Sequence, residues 1–373
     1  CPRTPSPMDP AWPTVADAFN DAGYHSAYFG KWHVDGGAKN PSQHIVPPDR
    51  RGRFGQWVGY ENNNSQYDCY VHGHDAAGDE IDLYKLPGYE TDALTDLLID
   101  YVKGRRGDDE PFFAVCSVQP PHWPYVAPPK FKQRHNPAHV ELRPNVPPVP
   151  RVEEKARRDL AGYYAMIENL DWNLGRVYQT LEATGQLHDT IVIFFSDHGD
   201  CHGEHGMIDK SQPWEESIRI PFTIGGGKPY AGKRGGYETA APLNVVDIAP
   251  TTLGLCGIDK PDWMGGFDYS GHRRRGADLP LPGEPNAAYL QHVVRKFGVT
   301  SMDRTWRGIV TRDRWKYVCI PHAPYLMIDL NEDPYELNNL ALHPEYKDKR
   351  AELQAELADW IDKTGDAFEL PEL

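Results

Sequence analysis

Apolar residues near the start of the chain fall at Val15, Ala18, Phe19 and Ala22, a helical spacing that Gly23 stops. A strand is predicted next, from His25 to Phe29, running into Gly30-Lys31-Trp32-His33. A second pair begins with a helix capped at Thr91 and reaching Val102, followed by a strand from Phe112 to Val118. The prolines of Gln119-Pro120-Pro121-His122 forbid further pairing there. In the third pair Leu160, Tyr163, Ile167, Leu170, Leu174, Val177 and Leu181 form one stripe of a long helix ending before Gly185. The strand Thr190 to Phe195 follows, without alternation, as expected of a strand covered on both faces, and opens into Ser196-Asp197-His198-Gly199.

Helix, strand and polar loop thus recur three times. This predicts an α/β fold with a mostly parallel sheet sandwiched by helices. A strand near Ile218 to Ile224 and a helix capped by Asp247, with Pro250 in its first turn, complete the region. The Arg-, Pro- and Gly-rich stretch Gly271 to Glu284 marks a boundary, dividing the chain into an α/β domain over 1–275 and a small α+β domain over 276–373. In the latter, strands are predicted at Ala287 to His292, Trp306 to Thr311, Trp315 to Ile320 and Tyr325 to Leu330, with a last helix from Pro344 to Asp362. These suggest a small antiparallel sheet plus helix.

Composition narrows the class. With 373 residues, 39% apolar and 25% charged, the chain can bury a sizeable core. Its net charge of -15 argues against nucleic acid as a partner, although a locally positive pocket can still hold a small anion. The chain lacks an apolar run of about 20 residues, so it reads as soluble, with no membrane partner. The six cysteines are scattered, without metal-ligand spacing, and leave the redox compartment open. The opening, Cys1-Pro2-Arg3-Thr4-Pro5, has neither Met nor signal peptide, and a preceding segment is expected.

In an open parallel sheet, loops at the carboxyl ends of strands converge. They would gather Lys31, His33, His122, Asp197 and His198, with Lys210 delivered by the loop after the third. Two cations, three imidazoles and a carboxylate suit an oxyanion bound beside a metal. Singly, each has a bland reading: a solvated lysine, a histidine stacked between Trp123 and Pro121, an aspartate capping its own turn. His202 and His205 lie near enough to compete as ligands. Asp197 alone does not make a calcium site, which takes about six to eight oxygens.

In order and spacing these motifs resemble the sulfatase family of the alkaline phosphatase superfamily. Gly23-Tyr24-His25-Ser26-Ala27-Tyr28-Phe29-Gly30-Lys31-Trp32-His33 is similar to its second signature, and Pro121-His122, Ser196-Asp197-His198-Gly199 and Lys210-Ser211-Gln212-Pro213-Trp214-Glu215 match further segments. So do Asp247-Ile248-Ala249-Pro250-Thr251 and Asp329-Leu330-Asn331-Glu332-Asp333-Pro334-Tyr335-Glu336. The resemblance implies an alkaline phosphatase-like fold and a sulfuric-ester hydrolase acting on a small-molecule or oligosaccharide sulfate ester. Its implied site has Lys31, His122 and Lys210 on the sulfate, His33 orienting the nucleophile, and Asp197 and His198 on a divalent metal. Calcium is expected, with manganese or magnesium as alternatives, together with a formylglycine on the segment before Cys1 and export to the periplasm or medium.

The chain also departs from the pattern. The family's paired acidic ligands and Cys-x-Pro-x-Arg motif are absent; Cys1 has proline and arginine in the wrong places, and Cys319-Ile320-Pro321-His322-Ala323 lacks the arginine. The fragment alone is therefore expected to be inactive. Many members carry Asn where this chain has His198, and His there occurs in some phosphonate and phosphodiester hydrolases, which form the rival reading. A non-catalytic anion-binding pseudoenzyme is a second rival; a phosphoglycerate mutase-like isomerase lacks its two-metal ligand set here. The loops Trp57 to Tyr70 and Arg273 to Arg275 are candidates to rim a carbohydrate pocket, against a default of solvated surface. Oligomeric state is not readable.

Overall fold

The computed structural model describes residues 7–36, 41–227, 238–273, 277–293 and 304–372. Helix α1 (Val15–Asp21) begins where the Asp17 carboxylate accepts the Thr14 backbone N–H at 2.6 Å. Then come β1 (His25–Lys31), β2 (Gln56–Tyr60), β3 (Tyr70–His74), β4 (Glu80–Lys85), α2 (Glu90–Gly104), β5 (Phe112–Ser117), the short α3 (Pro129–Lys132) and the long α4 (Pro150–Ala183). Beyond α4 lie β6 (Ile191–Phe195), β7 (Cys201–His202), β8 (Ile208–Asp209), α5 (Glu215–Ile218), β9 (Phe222–Gly226) and α6 (Ile248–Leu255). The chain finishes with β10 (Ala287–His292), β11 (Trp306–Thr311), β12 (Trp315–Ile320), β13 (Ala323–Asp329) and α7 (Lys347–Thr364). Among the described residues no helix is long and apolar enough to cross a membrane.

The main sheet runs β4-β3-β2-β1-β5. β1 is parallel to both β2 and β5, while β2–β3 and β3–β4 pair antiparallel, so a parallel centre is extended by two antiparallel strands into a mixed sheet. β1 reads as a nearly continuous apolar run because both of its faces are covered. Ala27 and Phe29 pack with Ala93 and Leu94 of α2, whereas Tyr28 points the other way, against Phe54 and Trp57. On that second side Phe113 of β5 joins Ala18 and Phe19 of α1 and Leu253 of α6. Burying Phe29 contributes about 2 kcal/mol. Gly30 is required at the end of the run: its φ is 111°, and a Cβ there would stand 2.0 Å from the Ser117 carbonyl oxygen of β5.

Several elements differ from their prediction. α2 starts at Glu90 with Tyr89 at its N-cap, so Thr91 lies inside the first turn and does not cap it. The segment Trp57 to Tyr70 is only partly surface: it holds most of β2 and the start of β3, with Trp57 and Tyr60 at most 1% exposed, while Tyr67 is 42% exposed. Around Ile218 a turn of helix, α5, precedes the strand, which starts only at Phe222, after Pro221. β6 is half-buried rather than enclosed, because among the described residues it is paired on one edge alone, antiparallel to β9.

Helix α4 is about 51 Å long and is keyed to α2 by polar contacts: Asn169 and Asn173 donate to the same Asp92 oxygen at 2.8 and 2.7 Å. The last sheet is an antiparallel meander, β10-β11-β12-β13. Leu353, Leu357 and Ile361 of α7 pack with Tyr289, Ile309, Tyr317 and Met327 on one face. Trp306, Val318, Leu326 and Ile328 on the other face receive Trp214 and Ile218. The predicted division at 275/276 falls at Arg274–Gly276, outside the described residues.

Candidate active site

Four segments deliver polar side chains to one place. β1 ends on Lys31, with His33 two residues on; the loop after β5 carries His122; the loop after β6 carries Asp197 and His198; and Lys210 follows β8. These six residues line a pocket of about 420 Å³ together with Asn62, Asn64, Trp123 and Asp209. Of the last four, Asn62 and Asn64 fall within the loop Trp57 to Tyr70 that the sequence offers as a candidate rim, Trp123 enters there only as a stacking partner of His122, and Asp209 escapes the sequence analysis. Asn62 and Asn64 leave the carboxyl end of β2, beside β1, and the triple Asn after a strand is the signal that would have found them. Of the other candidate rim residues, Arg274 and Arg275 lie outside the described residues, and Arg273 donates to the Gly226 carbonyl oxygen at 3.3 Å.

Local bonds fix the imidazoles. His122 Nδ1 lies 2.7 Å from the Trp123 carbonyl oxygen, and His198 Nδ1 lies 2.7 Å from that of Gly199. Each Nδ1 is assigned the proton from its acceptor, which leaves each Nε2 for a ligand. The His122 stacking on Trp123 expected as the bland reading is present too, with ring centroids 5.7 Å apart. The side-chain amide of Gln66 donates to the carbonyl oxygens of His122 and Pro124 at 3.3 and 3.1 Å, clamping the loop on both sides of Trp123. His33 has a φ of 55°, and Lys210 sits between Asp209 and Ser211, whose φ values are 70° and 82°. Such left-handed residues concentrate where a chain must aim a side chain.

Charge crowding shapes the titration of the pocket. Burial lowers the Lys31 pKa, helped by Lys210 and opposed by Asp197. His33 is lowered by burial and then by Lys31 and Lys210. Burial pulls His122 down to about 4, with both lysines adding to the effect, and also lowers His198 against the pull of Asp197. An unfilled pocket therefore disfavours its own positive charge, a tension that an anion relieves.

Asp197 has 74% of its side chain exposed and accepts the His198 backbone N–H at 3.0 Å. A hard carboxylate oxygen beside a free imidazole nitrogen fits part of the shell of a divalent cation. Elsewhere, ligand atoms of His205, Glu216 and Glu336 lie within 4.8 Å of one another. That cluster already holds internal partners: Arg143 pairs with Glu216 at 3.0 Å and Lys316 with Glu336 at 2.6 Å. His202 packs at a tilt against the rings of Tyr125 and Tyr163 and does not line the pocket. Neither does any of the described cysteines, Cys69, Cys116, Cys201, Cys256 and Cys319.

Residues 6–258 match the sulfatase family, and residues 203–363 match the C-terminal family of N-sulphoglucosamine sulphohydrolase. The chain belongs to the sulfatase family. This sulfatase-family chain is 32% identical over 357 residues to an ulvan-active sulfatase of Formosa agariphila, covering 95% of its own length and 66% of that relative. It is 27% identical over 396 residues to an endo-4-O-sulfatase of Bacteroides thetaiotaomicron, covering 95% of itself and 72% of the relative. In fold it matches a structure solved with its substrate D-glucosamine-2-N,6-O-disulfate at a TM-score of 0.81 and 21% identity, over 97% of this chain and 84% of the other. The small sheet with its helix, and the mixed sheet with helices on both faces, are thus the sulfatase architecture of the alkaline phosphatase superfamily.

Proposed function

We propose that this chain belongs to a sulfuric-ester hydrolase that releases inorganic sulfate from a sulfated carbohydrate. The observation that carries the reading is the meeting of two ammonium groups, Lys31 and Lys210, three imidazoles, His33, His122 and His198, and the exposed Asp197 carboxylate on one pocket. The names of the relatives, an ulvan-active sulfatase and an endo-4-O-sulfatase, support a sugar as the part that carries the ester.

A sulfate ester brings one negative charge on a tetrahedral head. Lys31 and Lys210 hold its non-bridging oxygens, and the same ammonium groups meet the charge that grows on oxygen as the S–O bond to the sugar breaks. His122 is neutral in the free pocket at pH 7, and a bound anion favours its protonation. Its Nε2 then hands a proton to the leaving oxygen, which departs as an alcohol. His33 would orient the nucleophile, a formylglycine by what the family resemblance implies, which would supply the new bond to sulfur as the ester bond breaks. Asp197 and His198 would hold a divalent cation, calcium ahead of manganese or magnesium, which supplies polarisation of a sulfate oxygen. The α/β part through residue 275 carries the pocket, residues 276–373 brace it, and the whole protein works in the periplasm or outside the cell.

The test is sulfate release from a panel of sulfated sugars, beside phosphodiesters and phosphonate esters, by full-length protein made with a formylglycine-generating system. The expected result is release that falls at least a hundredfold in Lys31→Ala and Asp197→Ala. Cleavage of phosphodiesters or phosphonates without sulfate release would move the protein to the rival hydrolase class, and tight sulfate binding without any turnover would make it an anion-binding pseudoenzyme.

A further inference from the structure

Asn62, Asn64 and Trp123 line the pocket without a part of their own in the proposed sulfate chemistry, Trp123 meeting it only where its ring lies against His122. Trp123 is 48% exposed although it is a large aromatic residue, so its indole is presented to the pocket rather than spent on the core. Asn64 is held in a defined direction, because its Oδ1 accepts from Gln119 Nε2 at 3.2 Å, and this leaves the two N–H donors of the amide for another partner. The turn between the two asparagines is closed by Asn63, which donates to the Ser65 carbonyl oxygen at 2.8 Å and accepts the Ser65 backbone N–H at 3.1 Å. Gln66, in the same loop, bonds the carbonyl oxygens on either side of Trp123. The indole and the Asn64 amide are therefore fixed relative to one another through one short loop, and both border the cationic end of the pocket.

We propose that Trp123 and Asn64 form the subsite for the sugar ring that bears the sulfate, the indole stacking against the C–H face of a pyranose and the amide donating to a ring hydroxyl. This rests on the hydrolase reading for its sulfate end, but it assigns a separate recognition step to residues with no part in bond cleavage. An apolar platform beside a single pre-oriented amide suits a pyranose, which offers one C–H face and a rim of hydroxyls. An acyclic alkyl sulfate would leave the indole uncovered and the amide unpaired, and would lose both contributions.

The experiment compares binding by calorimetry on full-length protein, using galactose 4-sulfate, galactose 6-sulfate and glucosamine 6-sulfate against inorganic sulfate, and follows turnover of the same sugars. Wild type is expected to bind at least one sugar sulfate about tenfold more tightly than inorganic sulfate. Trp123→Ala should abolish that preference while leaving inorganic sulfate affinity within about twofold, Trp123→Phe should restore most of it, and Asn64→Ala should reduce it about fivefold. The inference is overturned if wild type shows no preference for any sugar sulfate, if Trp123→Ala keeps the preference, or if it weakens sugar sulfate and inorganic sulfate equally. A preference lost in Trp123→Ala without sulfate release would uphold the subsite and sink the hydrolase reading, so the two failures are distinguishable.

Discussion

Tyr60 donates its phenolic proton to the Glu90 carboxylate at 2.5 Å, and the Glu90 side chain is wholly buried. The same oxygen accepts the Gln119 backbone N–H at 2.8 Å, while Oε2 has no hydrogen-bond partner. Burial pushes the Glu90 pKa up to about 7, against the opposing pull of these two donors and of Lys31. A carboxyl whose folded pKa exceeds its unfolded one stabilises the protein below the unfolded value and loses that contribution as pH rises through the folded value. Stability should therefore fall between about pH 4.5 and 7 from this group, by an amount on the order of 1–3 kcal/mol. Glu90→Gln keeps an acceptor for both donors and should flatten that slope, raising Tm at pH 8; denaturation midpoints from pH 5 to 8 that run parallel in the two proteins would refute the assignment.

Sulfate binding should draw in a proton. His122 has a free-pocket pKa of about 4, and the charge of a bound anion raises it. Affinity for inorganic sulfate is then expected to increase as pH falls from 7 towards 4 and to level off below. Calorimetry at pH 6 in buffers of different ionisation enthalpy reads the uptake directly, and His122→Ala should remove most of it. Equal heats in all buffers for wild type would count against a neutral His122.

Calcium should stabilise the full-length protein through Asp197. With calcium at a hundred times its dissociation constant the gain is about 2.7 kcal/mol, and it should vanish in Asp197→Ala or on chelation. Because the Asp197 side chain is 74% exposed, the substitution should leave the metal-free melting temperature nearly unchanged. A calcium shift that survives the substitution would place the cation elsewhere.

Lys316 is completely buried, with its ammonium group 2.6 Å from Glu336, 2.8 Å from Glu215 and 3.0 Å from the Pro213 carbonyl oxygen. Lys316→Met strands these carboxylates in the interior and should cost about 3–5 kcal/mol, read from urea midpoints. Adding Glu336→Gln should recover part of the loss. A single substitution costing under about 1 kcal/mol would mean that the carboxylates reach water or another cation.

How far the fold could be read depended on the periodicity of each segment. The pairs α1–β1, α2–β5 and α4–β6 are legible because Phe19, Leu94 and Leu160 belong to helical stripes long enough to show a period, each followed by an apolar run that ends in a polar loop. β2 shows none: Gln56-Trp57-Val58-Gly59-Tyr60 is short, contains a glycine and is buried on both faces. With β2 hidden, Asn62 and Asn64 had no strand to follow and entered only as unnamed members of the candidate rim loop Trp57 to Tyr70. Lys210 is similarly opaque to pattern, since β7 and β8 have two residues each and the backbone on both sides of it is left-handed. Its place after the third polar loop suggests it, and the family resemblance gives it a role. Charge effects are legible least of all, because the neutrality of His122 comes first from its burial in the folded chain and only then from Lys210 and Lys31, both far away in sequence.

The last sheet reaches back to the loop behind Lys210. Trp306 Nε1 donates to the Ser211 carbonyl oxygen at 3.1 Å, one residue past the lysine, and Lys316 holds Pro213 in the same way. The strands of residues 306–320 thus act as a scaffold strut for a side chain roughly a hundred positions earlier, and a lesion far from the pocket can slacken the grip on an anion without touching a single group that meets it.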